Sequence, residues 1–379
     1  MAAMKILSAD SHILEPPDLW TSRMNSETFG DRIPHLVPGN PYDNWVVDGQ
    51  SVGVIGTSGS AGQRFENPGE IDREGKYDDQ RVGGYNPHER MKDLAMDGVY
   101  ADVLYPTFAN AMLGAISGGD LLRPVFNAYN EWISGFRTAY PDRLKGIGCI
   151  LLDDDIDAGI AELKNIVNLG LSGALISAFP LPSETYDHVK YEPFWTAAEE
   201  MDIPLSLHSG TNRPELPSEF ENDTGRFDLA QSGAARVNAE YWIRMSLCHM
   251  IYSGLFERHP KLSVVTVEFD LAWIPFFLNR LDITYIERPS QTSYRFRNDA
   301  LPSDFMRRNV YHSFQEDGLG VFHRDIIGVD RLLWGSDYPH AESTFPKSRE
   351  ILDSILVDVP DEEKALIVGG NTARLYKID

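Results

Sequence analysis

The sequence predicts one (β/α)8 TIM-barrel domain over residues 1–379, with an insertion after its first strand. Two observations carry this prediction. Short runs rich in β-branched residues alternate with longer amphipathic segments from about residue 100 onward, which is the pattern of strand–helix units around a parallel sheet. Asp and His residues, whose side chains commonly bind metal ions, also follow several of these runs. They lie far apart in the sequence, and a TIM barrel gathers the carboxyl ends of its strands at one face.

The predicted strands are short and mostly apolar, as expected for strands buried inside a barrel. They are Ile6-Leu7, Asp102–Tyr105, Gly146–Leu152, Gly173–Ser177, Ile203–His208, Leu262–Glu268, Val310–Phe314 and Leu332–Trp334.

Helices are predicted between these strands. Ile156–Leu169 places its apolar residues on one face, and Arg236–Arg258 ends at the His259-Pro260 pair. Pro87–Asp97 is the predicted helix of the first strand–helix unit.

Residues 38–86 interrupt this alternation and form the predicted insertion. They are rich in Gly, Pro, Asn and Asp, with a possible hairpin over Trp45–Val52. A loop that follows a barrel strand lies over the active face, so the insertion could be a lid or substrate wall, or equally a dimer contact. The loop Gly210–Asp228, after the fifth predicted strand, borders the same face.

Composition narrows the class of protein. The formal net charge of −23 argues against nucleic acid or an anionic membrane as a partner. Only Cys149 and Cys248 are present, too few for a disulfide framework or a thiolate zinc cluster. No apolar run reaches the roughly 18 residues of a membrane-spanning helix. The expected compartment is therefore the cytoplasm.

Four residues form the candidate metal site. Asp10 and His12 follow the first apolar run, His208 closes the fifth and Asp337 follows the eighth. Residues i and i+2 of an extended chain share a face, so Asp10 and His12 point the same way. Two imidazoles and two carboxylates suit zinc or a related divalent ion. The alternative is a structural polar cluster without metal.

Other polar residues near strand ends are candidates for substrate binding. His340 follows the eighth strand, where substrate contact and simple exposure are both open. Gln315 follows the seventh strand and is expected at the barrel mouth. Arg213 and Arg226, after the fifth strand, could bind a substrate carboxylate in bidentate fashion or form a salt bridge with a nearby acidic residue.

Four segments resemble the amidohydrolase-related proteins, the family of aminocarboxymuconate-semialdehyde decarboxylase and the aromatic-acid decarboxylases. They are Ser8–Trp20, Tyr252–Leu262, Trp334–His340 and Asn371–Tyr376, and the resemblance spans nearly the whole chain. It implies a homodimer, a small-molecule substrate and metal ligation by Asp10, His12, His208 and Asp337.

The chain departs from this family at two positions. Position 10 is Asp, where the family often has His and some decarboxylases have Glu, and a carboxylate remains a competent ligand. The family's sixth strand typically ends in His followed by glycines, whereas this chain reads Thr266–Asp270. Glu268 is the candidate equivalent of that histidine.

The leading hypothesis is hydrolysis of a small carboxylate, amide or lactone. A divalent ion, zinc or alternatively manganese, would lower the pKa of a bound water. Asp337 would carry the water's proton to the leaving group, and Glu268 would orient the water or substrate.

A second hypothesis is a non-oxidative decarboxylase that acts on a small aromatic or unsaturated acid. The same ion would then bind the substrate carboxylate and a neighbouring hydroxyl. A third is a barrel that binds a ligand without catalysis.

Overall fold

The computed structural model describes residues 5–66, 75–213, 236–292 and 294–379. Its strands are β1 (Ile6–His12), β2 (His35–Val37), β3 (Asn44–Val47), β4 (Gln50–Val54), β5 (Val99–Tyr105), β6 (Leu144–Cys149), β7 (Gly173–Ile176), β8 (Leu205–His208), β9 (Val264–Val267), β10 (Val310–Phe314) and β11 (Leu332–Trp334).

Eight of these strands build a TIM barrel. They form one sheet in the order β1-β5-β6-β7-β8-β9-β10-β11, and every adjacent pair is parallel. The first and last strands meet through the segment after β11, where Asp337 N donates to Asp10 O at 2.8 Å and His12 N donates to Tyr338 O at 2.6 Å. A Cβ on Gly335 would collide with Cβ of Asp10, so this approach requires glycine. The predicted fold class is confirmed.

α-Helices cover the barrel and connect its strands. They are Ser26–Phe29, Gln63–Glu66, Pro87–Asp97, Phe108–Ala115, Gly119–Thr138, Ile156–Asn168, Glu192–Glu200, Tyr241–Tyr252, Leu255–Arg258, Ile274–Glu287, Pro302–Asn309, Gly318–Phe322, Arg324–Ile327, Ser348–Ile355, Asp361–Ala365 and Asn371–Tyr376, with a π-helical turn over Leu366–Gly370. None of the helices in the described part of the chain combines the length and apolar character needed to cross a bilayer.

One predicted helix is divided. Arg236–Arg258 was expected to be continuous, but the structure has Tyr241–Tyr252 and Leu255–Arg258. Gly254 separates them with a φ of 77°, a left-handed conformation that ends an α-helix.

The insertion contains the predicted hairpin and a further strand. Strands β3 and β4 join at Asp48 and Gly49, whose φ values of 52° and 74° are those of a two-residue type I′ turn. Strand β2 pairs with β3 and begins at His35, so ordered structure starts before residue 38.

The insertion contacts both the core and the barrel mouth. Trp45 is fully buried and packs on Trp20 and Phe108, with ring centroids 5.0 and 5.4 Å away. At its other side Arg64 pairs with Glu316, which follows β10. A lid role remains a prediction.

Candidate metal centre

The carboxyl ends of β1 and β8 and the turn after β11 bring the four predicted ligands together. His12 Nε2 lies 3.8 Å from Asp10 Oδ1, 3.5 Å from Asp337 Oδ1 and 3.1 Å from His208 Nε2. All four residues are buried. Ligands held about 2.0–2.2 Å from one ion lie roughly 3–4 Å from each other, and the distances of these three side chains to His12 fall in that range. Asp10, His12 and His208 form one group of mutually close donors, and Asp337 belongs to a second group that shares His12.

Both imidazoles are oriented by backbone carbonyls. Nδ1 of His12 lies 2.9 Å from Pro106 O, and Nδ1 of His208 lies 3.0 Å from Ser209 O. When Nδ1 donates to a carbonyl, Nε2 keeps its lone pair for the cluster. Metal-binding histidines usually have this arrangement, because the second hydrogen bond fixes the ring.

Buried carboxylate oxygens provide a test of whether a cation fits. Asp10 Oδ2 accepts a hydrogen bond from Ser313 Oγ at 3.1 Å, whereas its Oδ1 is buried and accepts none within the described residues. Asp337 Oδ1 is also buried, and His340 Nδ1 lies 2.8 Å from it. Such atoms are costly in an apolar interior unless a cation compensates them. The residues present therefore fit a divalent metal ion.

Glu268 lies directly after β9 and faces this cluster. Its φ of 64° is left-handed, which is uncommon for a residue other than glycine. Its Oε1 lies 3.6 Å from His12 Nε2 and its Oε2 lies 3.7 Å from His208 Nδ1. Ser209 Oγ donates to the carboxylate, and Ser313 Oγ accepts from the Glu268 backbone at 3.1 Å.

His340 also belongs to the cluster, although the sequence left simple exposure open. Its Nδ1 lies 2.8 Å from Asp337 Oδ1, and its ring stacks on His12 with centroids 4.1 Å apart. Its Nε2 lies 3.3 Å from Thr107 Oγ1. His12, Glu268, Asp337 and His340 form one group of metal-type donors, and Asp10, His12 and His208 form an overlapping group.

Burial and mutual charge displace the pKa values of these groups. Burial lowers the pKa of His12 to about 4 and raises that of Asp337 to about 7. Burial opposes charge on His208 too, but Glu268 and Asp10 outweigh it and raise the pKa to about 9. Burial likewise disfavours the Glu268 carboxylate, yet His208 and His12 hold its pKa well below the usual range. The site thus concentrates negative charge that a cation would stabilise.

The two remaining substrate-binding candidates differ in position. Gln315 follows β10, its Nε2 donates to Ser336 O at 3.4 Å, and it lines a cavity of about 570 Å³ together with Asp270. It therefore lies at the barrel mouth, as expected.

Arg213 is bound by protein groups. Its side chain is fully buried, pairs with Asp153 and donates to Leu113 O and Ser117 O. These contacts correspond to the salt-bridge alternative for Arg213, and its binding of a substrate carboxylate stays a prediction. Arg226 and most of the predicted loop Gly210–Asp228 lie outside the described residues.

The sequence analysis did not identify the buried ion pair of Arg90 and Asp102, which contacts the backbone of the site at His12. Arg90 Nε donates to Asp102 Oδ2 at 2.8 Å, and both side chains are fully buried. Arg90 Nη1 also donates to His12 O at 2.7 Å, and Nη2 to Tyr338 O at 3.4 Å. The available signal was a charged residue one helical turn before Leu94, on the apolar side of helix Pro87–Asp97.

The fold and the donor cluster define a TIM-barrel enzyme with a possible divalent-metal site at the carboxyl ends of its strands. The chain belongs to the amidohydrolase family, whose model, described as Amidohydrolase, matches residues 35–378. The suspected family is confirmed.

The chain is also similar to a known enzyme in sequence and to solved structures in fold. The chain is 27% identical over 261 residues to gamma-resorcylate decarboxylase of Rhizobium sp. (strain MTP-10005), covering 63% of this chain and 72% of that protein. The crystal structure of an amidohydrolase from Mycobacterium avium subsp. paratuberculosis K-10 superposes with a TM-score of 0.78 at 20% identity, covering 100% of this chain and 99% of the other.

A third comparison shows a bound metal. The structure of 5-carboxyvanillate decarboxylase from Novosphingobium aromaticivorans DSM 12444, complexed with manganese and 4-hydroxy-3-methoxy-5-nitrobenzoic acid, has a TM-score of 0.69 at 17% identity, covering 99% of this chain and 96% of that one.

Proposed function

We propose that this enzyme is a non-oxidative decarboxylase of a small aromatic or unsaturated acid. The observation that carries the proposal is the similarity to gamma-resorcylate decarboxylase over 63% of the chain. This similarity favours the second sequence-based hypothesis over hydrolysis, which was the leading one. Non-catalytic binding is set aside, because the family relatives are enzymes.

Asp10, His12, His208 and Asp337 would hold a divalent ion. When bound, the ion would supply a positive charge for the substrate carboxylate and a neighbouring hydroxyl. The site has three carboxylates, those of Asp10, Asp337 and Glu268. Carboxylates favour a hard cation, so we propose that the ion is manganese rather than zinc. The manganese in the structurally similar 5-carboxyvanillate decarboxylase supports this order.

The protein's own residues would position the acid and provide the proton. In the reaction the bond between the ring carbon and the carboxylate breaks, carbon dioxide leaves, and a proton takes its place on that carbon. We assign proton delivery to Asp337, whose Oδ1 lies 2.8 Å from His340 Nδ1. Glu268 faces the same space and would orient the substrate. His340 and Gln315 would contact its polar groups.

Isotope labelling distinguishes the two chemistries. The purified protein, loaded with Mn²⁺, is incubated with a panel of hydroxybenzoates, amides and lactones in D₂O and separately in ¹⁸O-labelled water. Decarboxylation leaves deuterium on the carbon that lost its carboxylate and incorporates no ¹⁸O into the aromatic product. Product labelled with ¹⁸O and released without carbon dioxide would instead establish hydrolysis. The His208→Ala variant is the control for background reaction.

A further inference from the structure

The helix Phe108–Ala115, which follows β5, carries a buried amide without a protein partner. Asn110 lies on the first turn of this helix and is only 7% exposed. Its Oδ1 is buried and accepts no hydrogen bond within the described residues. A buried polar group without a partner destabilises the folded state, and such groups are rare in proteins. Asn110 is therefore a candidate for contact with a ligand.

Asn110 lies on the side of the helix that borders the barrel mouth. Thr107, just before the helix, already has α-helical backbone angles, and its Oγ1 lies 3.3 Å from His340 Nε2. Near the other end, a Cβ on Gly114 would lie 3.5 Å from Asn212 O, in the segment after β8. Helical residues three or four positions apart lie on one side. Asn110 follows Thr107 by three positions and precedes Gly114 by four, so it lies on the side that extends from His340 to Asn212.

This helix is anchored at both ends by buried polar side chains. The carboxylate of Glu15, which is fully buried, accepts hydrogen bonds from the first two backbone amides of the helix at 2.9–3.0 Å. Arg213 donates to the carbonyls of Leu113 and Ser117. Asn110 is thus held on a rigid element, which is the support that a site discriminating between ligands requires.

The chemistry of the amide defines the group that it would recognise. An amide oxygen accepts hydrogen bonds, so its partner on the ligand must be a donor. The carboxylate of the substrate and the hydroxyl beside it are directed to the ion in the proposed function, and an ionised carboxylate has no proton to donate. A further ring hydroxyl or an amino group is a donor and is uncharged, so it suits a neutral amide in a buried position.

We propose that Asn110 determines substrate specificity by accepting a hydrogen bond from a further hydroxyl or amino group of the substrate. The inference rests on the proposed function, which supplies the carboxylate and the neighbouring hydroxyl at the ion. It narrows the substrate class from small acids in general to acids that carry an additional hydrogen-bond donor. Asn110 takes no part in the transfer of the proton.

Matched ligands test this recognition. The Mn²⁺-loaded chain is titrated by calorimetry with salicylate and with salicylates that carry one further ring hydroxyl or amino group. At least one substituted acid should bind about tenfold more tightly than salicylate, because it satisfies the buried oxygen. Asn110→Leu keeps the approximate size of the side chain and removes the acceptor. It should reduce this ratio to about one and leave the Kd of salicylate within about twofold.

Asn168→Leu is the matched control, because Asn168 is exposed at the end of helix Ile156–Asn168, and this variant should keep the ratio. Asn110→Leu should have a Tm equal to or above that of the unmodified chain, since it removes a buried oxygen without a partner.

An unchanged ratio in Asn110→Leu would overturn the inference, as would the absence of any substituted acid that binds more tightly than salicylate. A Tm several degrees lower in Asn110→Leu would show that Asn110 has a structural partner and would overturn it as well. A preference that depends on Asn110, without release of carbon dioxide from any of these acids, would overturn the proposed function and leave the recognition by Asn110 standing.

Discussion

At the scale of single residues, Glu268 stands directly after β9, where the family resemblance led us to expect histidine. We expect Glu268→Gln to retain the ion proposed at Asp10, His12, His208 and Asp337. Turnover should fall by up to about 10²–10⁴-fold, the contribution of a positioned proton transfer, because Glu268 would orient the substrate for the proton from Asp337. The amide keeps the shape of the side chain but not its charge. The measurement is kcat together with metal content. Full turnover with unchanged metal would show that Asp337 works without it.

A variant of His208 tests the proposed metal site. Its Nε2 faces the cluster, so His208→Ala should abolish activity and bind Mn²⁺ at least about tenfold more weakly, as expected for loss of a ligand. The barrel should remain folded because the change is at the strand end. Calorimetric titration and circular dichroism measure the two effects. A His208→Ala protein that binds Mn²⁺ as tightly as the unmodified chain would contradict the assignment.

The sequence allowed the position of the four candidate ligands at strand ends to be predicted, because charged and imidazole side chains directly after apolar runs are conspicuous. The sequence did not determine the position of His340 or the partners of Arg213. The position of His340 depends on the turn after β11, where Asp337 has a φ of 58°. Arg213 depends on partners in a distant segment, at Leu113 and Ser117. A local sequence pattern predicts neither the conformation of this turn nor the partners from a distant segment.

At the scale of secondary-structure elements, Arg90 connects helix Pro87–Asp97 to β1 and β5. Arg90→Met leaves Asp102 as an uncompensated charge in the barrel interior, so we expect a loss of about 3–5 kcal/mol in the free energy of unfolding. Urea denaturation measures this loss. Adding Asp102→Leu should recover part of it, since removing both charges removes the unpaired one. A double variant less stable than Arg90→Met would contradict this explanation.

Asp97 joins the end of the same helix to helix Ser348–Ile355 and predicts a pH dependence. Ser348 N donates to Asp97 Oδ1 at 2.9 Å, and burial raises the pKa of Asp97 from 3.8 to about 6. The folded state therefore binds this proton more tightly than the unfolded state. Its contribution to stability is greatest below about pH 4, declines as pH rises through about 6 and is constant above about pH 7.

Asp97→Asn removes this titration. The unfolding free energy of the unmodified chain should fall by about 2 kcal/mol more than that of Asp97→Asn between about pH 4 and 7. Denaturant titrations at both pH values give the difference. Parallel pH profiles for the two proteins would rule out the assignment.

Elements were predictable where polar or turn-forming residues mark both ends of an apolar or amphipathic segment. Strands β10 and β11 and helix Pro87–Asp97 have the predicted limits. Strand β1 extends through His12, beyond the predicted Ile6-Leu7, because its polar residues are satisfied inside the barrel; Ser8 Oγ, for example, lies 2.8 Å from Ser11 Oγ. Such partners come from tertiary structure, and hydrophobic patterns cannot reveal them.

At the scale of the whole molecule, the contact between the insertion and the barrel mouth tests the lid role. Arg64→Ala removes the pair with Glu316, a contact worth up to about 1 kcal/mol, so we expect KM to rise by up to about fivefold while metal content stays unchanged. Arg32→Ala is the control, because Arg32 forms exposed pairs with Asp48 and Asp120. An equal change in KM for both variants would count against a lid.

The barrel as a whole was predictable from the alternation of its elements and from the ligands at strand ends. The structure of the insertion was less predictable. Its turn-forming composition indicated an irregular segment, whereas Trp45 is part of the hydrophobic core beside Trp20 and Phe108. Composition shows how often a chain turns but not which of its aromatic residues pack against the barrel.

The junction between β1 and the segment after β11 has a consequence for folding. Asp10 and Asp337 stand near opposite ends of the chain, and the backbone bond between Asp337 N and Asp10 O exists only once the last strand has docked. A growing polypeptide could not assemble the metal site before this late, long-range contact forms. Metal uptake would therefore report completion of folding, and a bound ion would fasten the first strand to the last.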